Sequence, residues 1–253
     1  MSSELPTIEN IIEELGDGIS ILDGGAGKGS FAYGDFPNCR IVALDVQPVE
    51  GITDPPNVER VTGYLEEPPF KDDEFDFVAL NFVLEHTVHP VKVLSEIDRV
   101  LKPGGVFYFS IPDCRAFEDR LFRFAYKLTH PASFFRPLPG AHNQRFTIAL
   151  IREMLESIGF GIATLLKYPG GFTWMPARLR FAFLRVCRAL GINPTRRGNF
   201  IIRAERDAWE QETIILPYVC FGCGVPAGDV VVESGRWRCS RCGSSNIHFR
   251  PKE

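Results

Sequence analysis

Two groups of residues in this 253-residue chain could do chemistry. The first lies in "ILDGGAGKGS" at 21–30, where an apolar run ends in Asp23 and is followed by Gly24, Gly25, Ala26, Gly27 and, after Lys28, Gly29. Glycine lets main chain approach a ligand closely and adopt dihedrals that a Cβ forbids. An apolar strand running into such a loop is a general device for bringing backbone to a cofactor. The dinucleotide fingerprint reads G-x-G-x-x-G, whereas Gly25, Gly27 and Gly29 read G-x-G-x-G, with Ser30 where the third glycine would stand. A second acid, Asp45, ends the next apolar run, "RIVALD", and suits the two hydroxyls of a ribose.

The second group is a set of cysteines. "CFGCG" at 220–224 and "CSRCG" at 239–243 give C-x2-C, fifteen residues, C-x2-C, through Cys220, Cys223, Cys239 and Cys242. This spacing predicts a structural zinc site, each pair followed by a glycine that permits a tight knuckle turn. The tail at 216–253 is too short to build an apolar core, so it is expected to be a zinc ribbon in which metal replaces one. Its spacer, "VPAGDVVVESGRWR", reads as strand, turn and strand. Cys39, Cys114 and Cys187 are scattered and read as small buried residues.

The elements that must position these groups follow from periodicity and breakers. Thr7 is expected to cap a helix over "IENIIEEL" that Gly16 closes. "GISILD", "RIVALD", "VERVTGY", "FDFVALNF", "VFYFSIP", "GIATLLKY" and "NFIIRAER" read as seven strands. "PVKVLSEIDRVL" has apolar residues at helical spacing and stops at "KPGG"; "TIALIREMLESIG" is a further helix. Strands alternating with helices predict an α/β fold, a doubly wound, mostly parallel sheet. Between Asp45 and Val58, "VQPVEGITDPPN" is too rich in proline for an ordinary crossover helix.

Composition sets bounds on function. Apolar residues make up 45% of the chain and no run approaches the roughly 18 uncharged apolar residues of a membrane helix. The polar, acidic start "MSSELPTIEN" argues against a secretion signal, so a cytoplasmic location is expected. Net charge is -4 but uneven: residues 1–114 hold 7 Lys+Arg against 21 Asp+Glu, while 174–203 hold seven arginines and no acid. The ribbon's own balance, five cations against three acids in 216–253, is cancelled by four thiolates around one Zn2+, which makes it a poor phosphate binder.

"LDGGAGKG", "VALDV" and "EFDFVALNFVLEHTVHPVKVLSEIDRVLKPGGVFYFSIP" together resemble a class I S-adenosylmethionine-dependent methyltransferase, nearest to the type 11 group with its "LEH … EI-RVLKPGG" run. The likeness is close over about 18–112 and looser to about 205. It implies a Rossmann-like fold with S-adenosylmethionine as cofactor. By the same resemblance Asp23 organises the loop and the donor's amino group, Gly24, Gly25, Ala26 and Gly27 lie against the donor, and Asp45 and Val46 meet its ribose. Asn81 and Phe82 face the methionine arm and the acceptor. Tyr64 and Leu65 stand where the family often has an Asp-Ala pair near the adenine, a departure that touches adenine contacts more than methyl transfer.

Methyl transfer needs alignment, exclusion of water and, for a hydroxyl acceptor, a base. His86 in "LEHTVHP" and His142 in "GAHNQRF" are the candidate bases, and Arg145 a candidate acceptor contact. "PARLRFAFLRVCRALG" reads as a helix with Arg178, Arg185 and Arg188 on one stripe and Arg180 apart. In the family such acceptor-side insertions, here about 113–145 and 172–198, cover the acceptor. "DPPN" at 54–57 lies after the second strand and lacks the closing aromatic of the amino-methylating motif, so that chemistry is disfavoured.

The expected organisation is a methyltransferase domain at 1–212 and a zinc ribbon at 216–253. The expected acceptor is a small molecule or glycan, anionic or lipid-linked, methylated at oxygen. The alternatives are an RNA or protein methyltransferase that recognises its substrate through the ribbon, and a non-catalytic binding module. A peripheral membrane contact and a protein partner for the ribbon are further expectations.

Overall fold

The computed structural model describes residues 7–115, 124, 144–168, 175–192, 194, 199–206, 212–215, 218–220, 226–227, 230–233 and 236–247. His142 and Cys223 lie outside the described residues. The chain forms two compact units. One comprises Met1–Ile111, Pro139–Leu165 and Ile201–Thr213, the other Pro112–Leu138, Leu166–Phe200 and Ile214–Glu253.

The first unit opens with α1 (Ile8–Leu15), where the Thr7 side chain accepts from the Asn10 amide as a helix cap should. Strands β1 (Ser20–Gly24), β2 (Arg40–Asp45), β3 (Val58–Thr62) and β4 (Phe75–Asn81) follow. Helix α2 (Pro90–Val100) leads into β5 (Leu101–Pro112) and α3 (Ile148–Glu156) into β6 (Phe160–Tyr168). Helix α4 (Ala177–Ala189), a part of the second unit, precedes β7 (Asn199–Arg206) and β8 (Glu212–Ile215) in the chain. The sheet runs β3-β2-β1-β4-β5-β7-β6-β8, the seven expected strands plus a short eighth at the edge. Every pairing among β1 to β5 is parallel.

Parallel central strands are buried on both faces, and the residues alternate accordingly. Ile21, Ile41, Ala43, Phe77, Ala79, Val106 and Tyr108 pack on one side with Ile8, Ile11 and Ile12 of α1. Leu22, Val42, Leu44, Val78, Leu80, Phe107 and Phe109 are the alternate, equally buried set. Strand order reverses at β1 and β4, whose carboxyl ends therefore flank a crevice in which ligands of such sheets bind.

The first two crossovers are reduced, as the composition demands. Between β1 and β2 only a 3-10 turn forms, Tyr33–Asp35. Between β2 and β3 no helix forms, and Asp54 of the proline-rich stretch instead pairs with Arg60 of β3 at 2.6 and 2.9 Å.

In the second unit, four short strands frame the cysteines: β9 (Tyr218–Val219) pairs with β10 (Pro226–Ala227), and β11 (Arg236–Arg238) with β12 (Ser245–Ile247). Each of the two hairpins spans one cysteine pair, and a Glu233–Arg236 bridge joins the stretch before β11 to its first residue. A knuckle turn needs its flanking strands side by side, which is why the pairing runs outward across each C-x2-C. No helix among the described residues is long and apolar enough to cross a membrane.

Candidate functional site

Asp23, next to last in β1, has no exposed surface and lies between Ala43 and Ala79 of the flanking strands. Those small neighbours leave room beside it for Tyr33. Its carboxylate accepts from the Ser30 amide at 2.8 Å, the Ser30 hydroxyl at 2.7 Å and the Tyr33 hydroxyl at 2.6 Å. Burial pushes its carboxyl up, and the three donors oppose that shift. The acid before the glycines is thus the buckle of the loop: it ties Ser30 and the 3-10 turn back to the strand end. Of the two roles the resemblance implies for Asp23, the geometry displays the organising one directly.

The loop needs glycine for two different reasons. A Cβ on Gly24 would lie 2.5 Å from Leu80 Cδ2 and 2.9 Å from Leu65 Cδ2. Gly25 has φ +66°, and a Cβ there would lie 2.6 Å from both methyl carbons of Val83. The loop is therefore pressed onto the β4 end, leaving the main chain bare toward the crevice. Gly27 is clamped on both sides of its residue. Its amide donates to Asp45 Oδ2 at 2.8 Å, and its carbonyl accepts from Arg60 Nη1 at 2.7 Å. Asp45 also accepts from the Gln47 amide at 3.1 Å, so each of its oxygens holds one bond and keeps a free lone pair. A ribose diol fits that remaining capacity.

Around this acid sit Val46 and Tyr64, both well exposed, and Leu65, which is buried under the loop. Tyr64 follows Gly63, whose amide bonds to the Asp45 carbonyl, and its own side chain is exposed. Glu66, two positions on, accepts from the Val88 amide at 3.2 Å and ties the β3 loop to the β4 loop.

At the end of β4, Phe82 has φ +56°, a costly conformation for an aromatic residue. It is held by its amide, which donates to the Ser110 carbonyl at 3.1 Å and hydroxyl at 3.0 Å, while that hydroxyl donates to Asn81 Oδ1 at 2.6 Å. Ser110 lies in register with Asn81. The strain sits where the resemblance places the methionine arm and acceptor. Beyond it, a 3-10 turn over Leu84–His86 leaves His86 exposed, and desolvation by its neighbours lowers the imidazole pKa, which favours the neutral, proton-accepting form. Gln144 donates from its amide to the Glu85 carbonyl at 3.0 Å and from Nε2 to the Val88 carbonyl at 3.3 Å. The adjacent Arg145 is exposed, and these bonds tie its stretch of chain to the turn that carries His86.

Glu85 was not singled out by the sequence, although it stands inside "LEH". It is 1% exposed, and neither carboxylate oxygen has a hydrogen-bond partner. Burial pushes its carboxyl up from 4.5 to about 7. A raised carboxyl stabilises the fold below its unfolded value and loses that contribution as pH rises toward the folded one. Between pH 4.5 and about 7 the Glu85 contribution should therefore fall by about 3 kcal/mol. His86 works in the other direction: with a lowered pKa, its contribution is present above the ordinary 6.5 and lost as pH falls. Thermal melts of Glu85→Gln across this range should show the acid-side advantage gone, leaving a midpoint that is flat or rises with pH. A midpoint still falling as in the parent would assign the proton to another group.

Arg178, Arg185 and Arg188 are exposed on α4, in the second unit, while Arg180 of the same helix is buried. Cys220, Cys239 and Cys242 bring their sulfurs within 4.8 Å of one another, Cys220 and Cys242 at 3.4 Å. That separation excludes a disulfide between them, for which sulfurs stand about 2.05 Å apart. Trp237 and Cys239 are buried against Cys220.

Sequence reasoning missed Arg60, Asp54, Tyr33, Ser110 and Glu85. Two left a trace: Ser110 is the one polar residue inside "VFYFSIP", and Arg60 is a cation in an acidic half of the chain.

Residues 5–165 match the model of a family described as a methyltransferase domain. An uncharacterized protein of Methanocaldococcus jannaschii is 32% identical over 160 residues, 62% of this chain and 70% of that protein. A demethylmenaquinone methyltransferase of Lysinibacillus sphaericus is 38% identical over 82 residues, 30% of this chain and only 33% of its own length. Among solved structures, a SAM-dependent methyltransferase from Methanosarcina mazei superposes with a TM-score of 0.54 at 17% identity, over 81% of this chain and 99% of the other, a likeness of fold. The type 11 grouping is finer than these matches. With residues 5–165 matching that family, strands β1 to β5 parallel and a glycine loop packed too closely on Leu80 and Val83 to admit a Cβ at the switch point, the chain belongs to the class I S-adenosylmethionine-dependent methyltransferases.

Proposed function

We propose that this methyltransferase acts on a small or glycan-type acceptor carrying negative charge, and methylates it at oxygen. The observation that supports the reading is the pair of Gln144 hydrogen bonds to the Glu85 and Val88 carbonyls, which tie the stretch carrying the exposed Arg145 to the turn carrying the exposed His86, beyond the strained Phe82. When bound, the donor supplies an activated methyl group on sulfur. The chain's part is alignment. Asp45 holds the ribose, the bare main chain from Gly24 to Gly27 seats the donor, and Asn81 and Phe82 shape the space ahead of the methyl. His86, held neutral, takes the acceptor's hydroxyl proton at an imidazole nitrogen. Arg145 attracts the acceptor's charge; Arg178, Arg185 and Arg188 were expected to share that task, and His142 to assist the base. The name of the Lysinibacillus sphaericus relative, which gives demethylmenaquinone as its acceptor, supports the small-molecule part of this reading.

Calorimetry with S-adenosylmethionine and its demethylated product tests donor binding. A mass-shift screen of anionic and neutral hydroxyl compounds then tests the acceptor. Conversion of neutral acceptors alone, or full activity in Arg145→Gln, would discard the anionic reading. An RNA acceptor is the rival reading, and it predicts binding that weakens steeply with salt.

The cysteines support a structural zinc site of Cys220, Cys223, Cys239 and Cys242. Tetrahedral zinc with sulfur at about 2.3 Å sets its ligands about 3.8 Å apart, a spacing the three described sulfurs already approach. The ribbon at 216–253 is read as a separate module with a structural or protein-contact role, beside a methyltransferase domain at 1–212.

A further inference from the structure

We infer that the solvent face of α4 is a docking surface for an anionic lipid bilayer. Each residue advances about 100° around a helix, so the chemistry of this face can be read position by position. Arg180, Leu184 and Cys187 form the buried side. The opposite side divides in two. Arg178, Arg185 and Arg188 run down one flank, and Leu179, Val186 and Leu190 down the other, with Ala182 and Ala189 between. The apolar flank is open to solvent: Leu179 is 62% exposed, Val186 57% and Leu190 68%, and Ile192 just beyond the helix is 42% exposed.

Scattered exposed leucines need no explanation, but four large apolar side chains along one helix beside three arginines do. Residues 174–203 contain no acid, so the exposed Arg178, Arg185 and Arg188 have only cations and apolar residues beside them on their own helix. The occupant must therefore be anionic and must also reward burial of leucine and valine. A nucleic-acid backbone rewards the arginines and gives nothing for the apolar flank. A bilayer interface rewards both, with phosphates at the headgroup level and acyl chains a few ångströms below. The inference holds whatever the acceptor is.

The test uses the full-length, zinc-loaded protein and sedimentation with two kinds of vesicle: phosphatidylcholine alone, and phosphatidylcholine mixed equally with phosphatidylglycerol. The protein is expected to bind the mixed vesicles and to leave the neutral ones. Replacing Arg178, Arg185 and Arg188 together by Gln should weaken binding about a hundredfold, and replacing Leu179, Val186 and Leu190 together by Ser about tenfold or more. Arg185→Gln and Leu190→Ser alone, each expected to weaken binding about fivefold, serve if a triple variant melts early. Equal binding to both vesicles, or none to either, overturns the proposal. So does an apolar variant that binds as the parent does, because charge alone would then explain the adsorption. Donor binding measured on the same samples keeps this outcome distinct from failure of the methyltransferase reading.

Discussion

Asp45→Ala should weaken binding of S-adenosylmethionine by about a hundredfold to ten-thousandfold, as measured by calorimetry with the donor or its demethylated product. Two charge-assisted hydrogen bonds from a ribose diol are lost, each worth about 1.5–3 kcal/mol. The effect is amplified locally. Asp45 also accepts from the Gly27 amide, so its removal frees one side of a residue that Arg60 holds by the other. Stability should change little, because Asp45 is partly exposed at a strand end and packs no core. Affinity within about threefold of the parent would mean that the ribose is held elsewhere, and the cradle built from Gly24 to Asp45 would have been misread.

Cys239→Ser should release the zinc proposed for the ribbon. Structural zinc supplies about 10–16 kcal/mol of binding free energy in small modules, and that energy is their folding energy. Cys239 is 5% exposed and Trp237 3% exposed, both packed on Cys220. Loss of metal should therefore drop the zinc-to-protein ratio well below one and shift tryptophan emission to the red as Trp237 meets water. A strong chelator should reproduce the shift in the parent protein. Full zinc content in the Cys239→Ser protein, or a chelator that changes nothing, would leave the cluster as three neighbouring thiols and no more. The same preparation should still bind donor through Asp45, since that site draws all its described contacts from the first unit.

Much of the catalytic end was legible from residue order, because strand ends and glycine loops are local. An apolar run must become a strand, the glycines must follow it, and a parallel crossover must bring Asp45 to the same edge as Asp23. The shortened crossovers were legible too, since proline in "VQPVEGITDPPN" forbids a helix regardless of context. Of the amphipathic reading of α4, the arginine stripe held, with Arg178, Arg185 and Arg188 exposed and Arg180 buried, but Leu179, Val186 and Leu190 of its apolar side are exposed as well.

What remained hidden were pairings between residues far apart in the chain. Arg60 meets the Gly27 carbonyl across 33 positions and Ser110 meets Asn81 across 29, and no local pattern marks either. The ribbon's hairpins also ran outward across the cysteine pairs, since strands of two or three residues carry too little periodicity to announce their partner. By itself, then, residue order determined the fold class, the donor loop and the cysteine spacing, all of which depend on local propensity and short spacings. Only the folded chain decided which groups would buttress that loop, strain Phe82, leave Glu85 buried without a partner, and turn the leucines of α4 to solvent. Those outcomes depend on which surfaces are excluded from water, and that is a property of the whole packed chain.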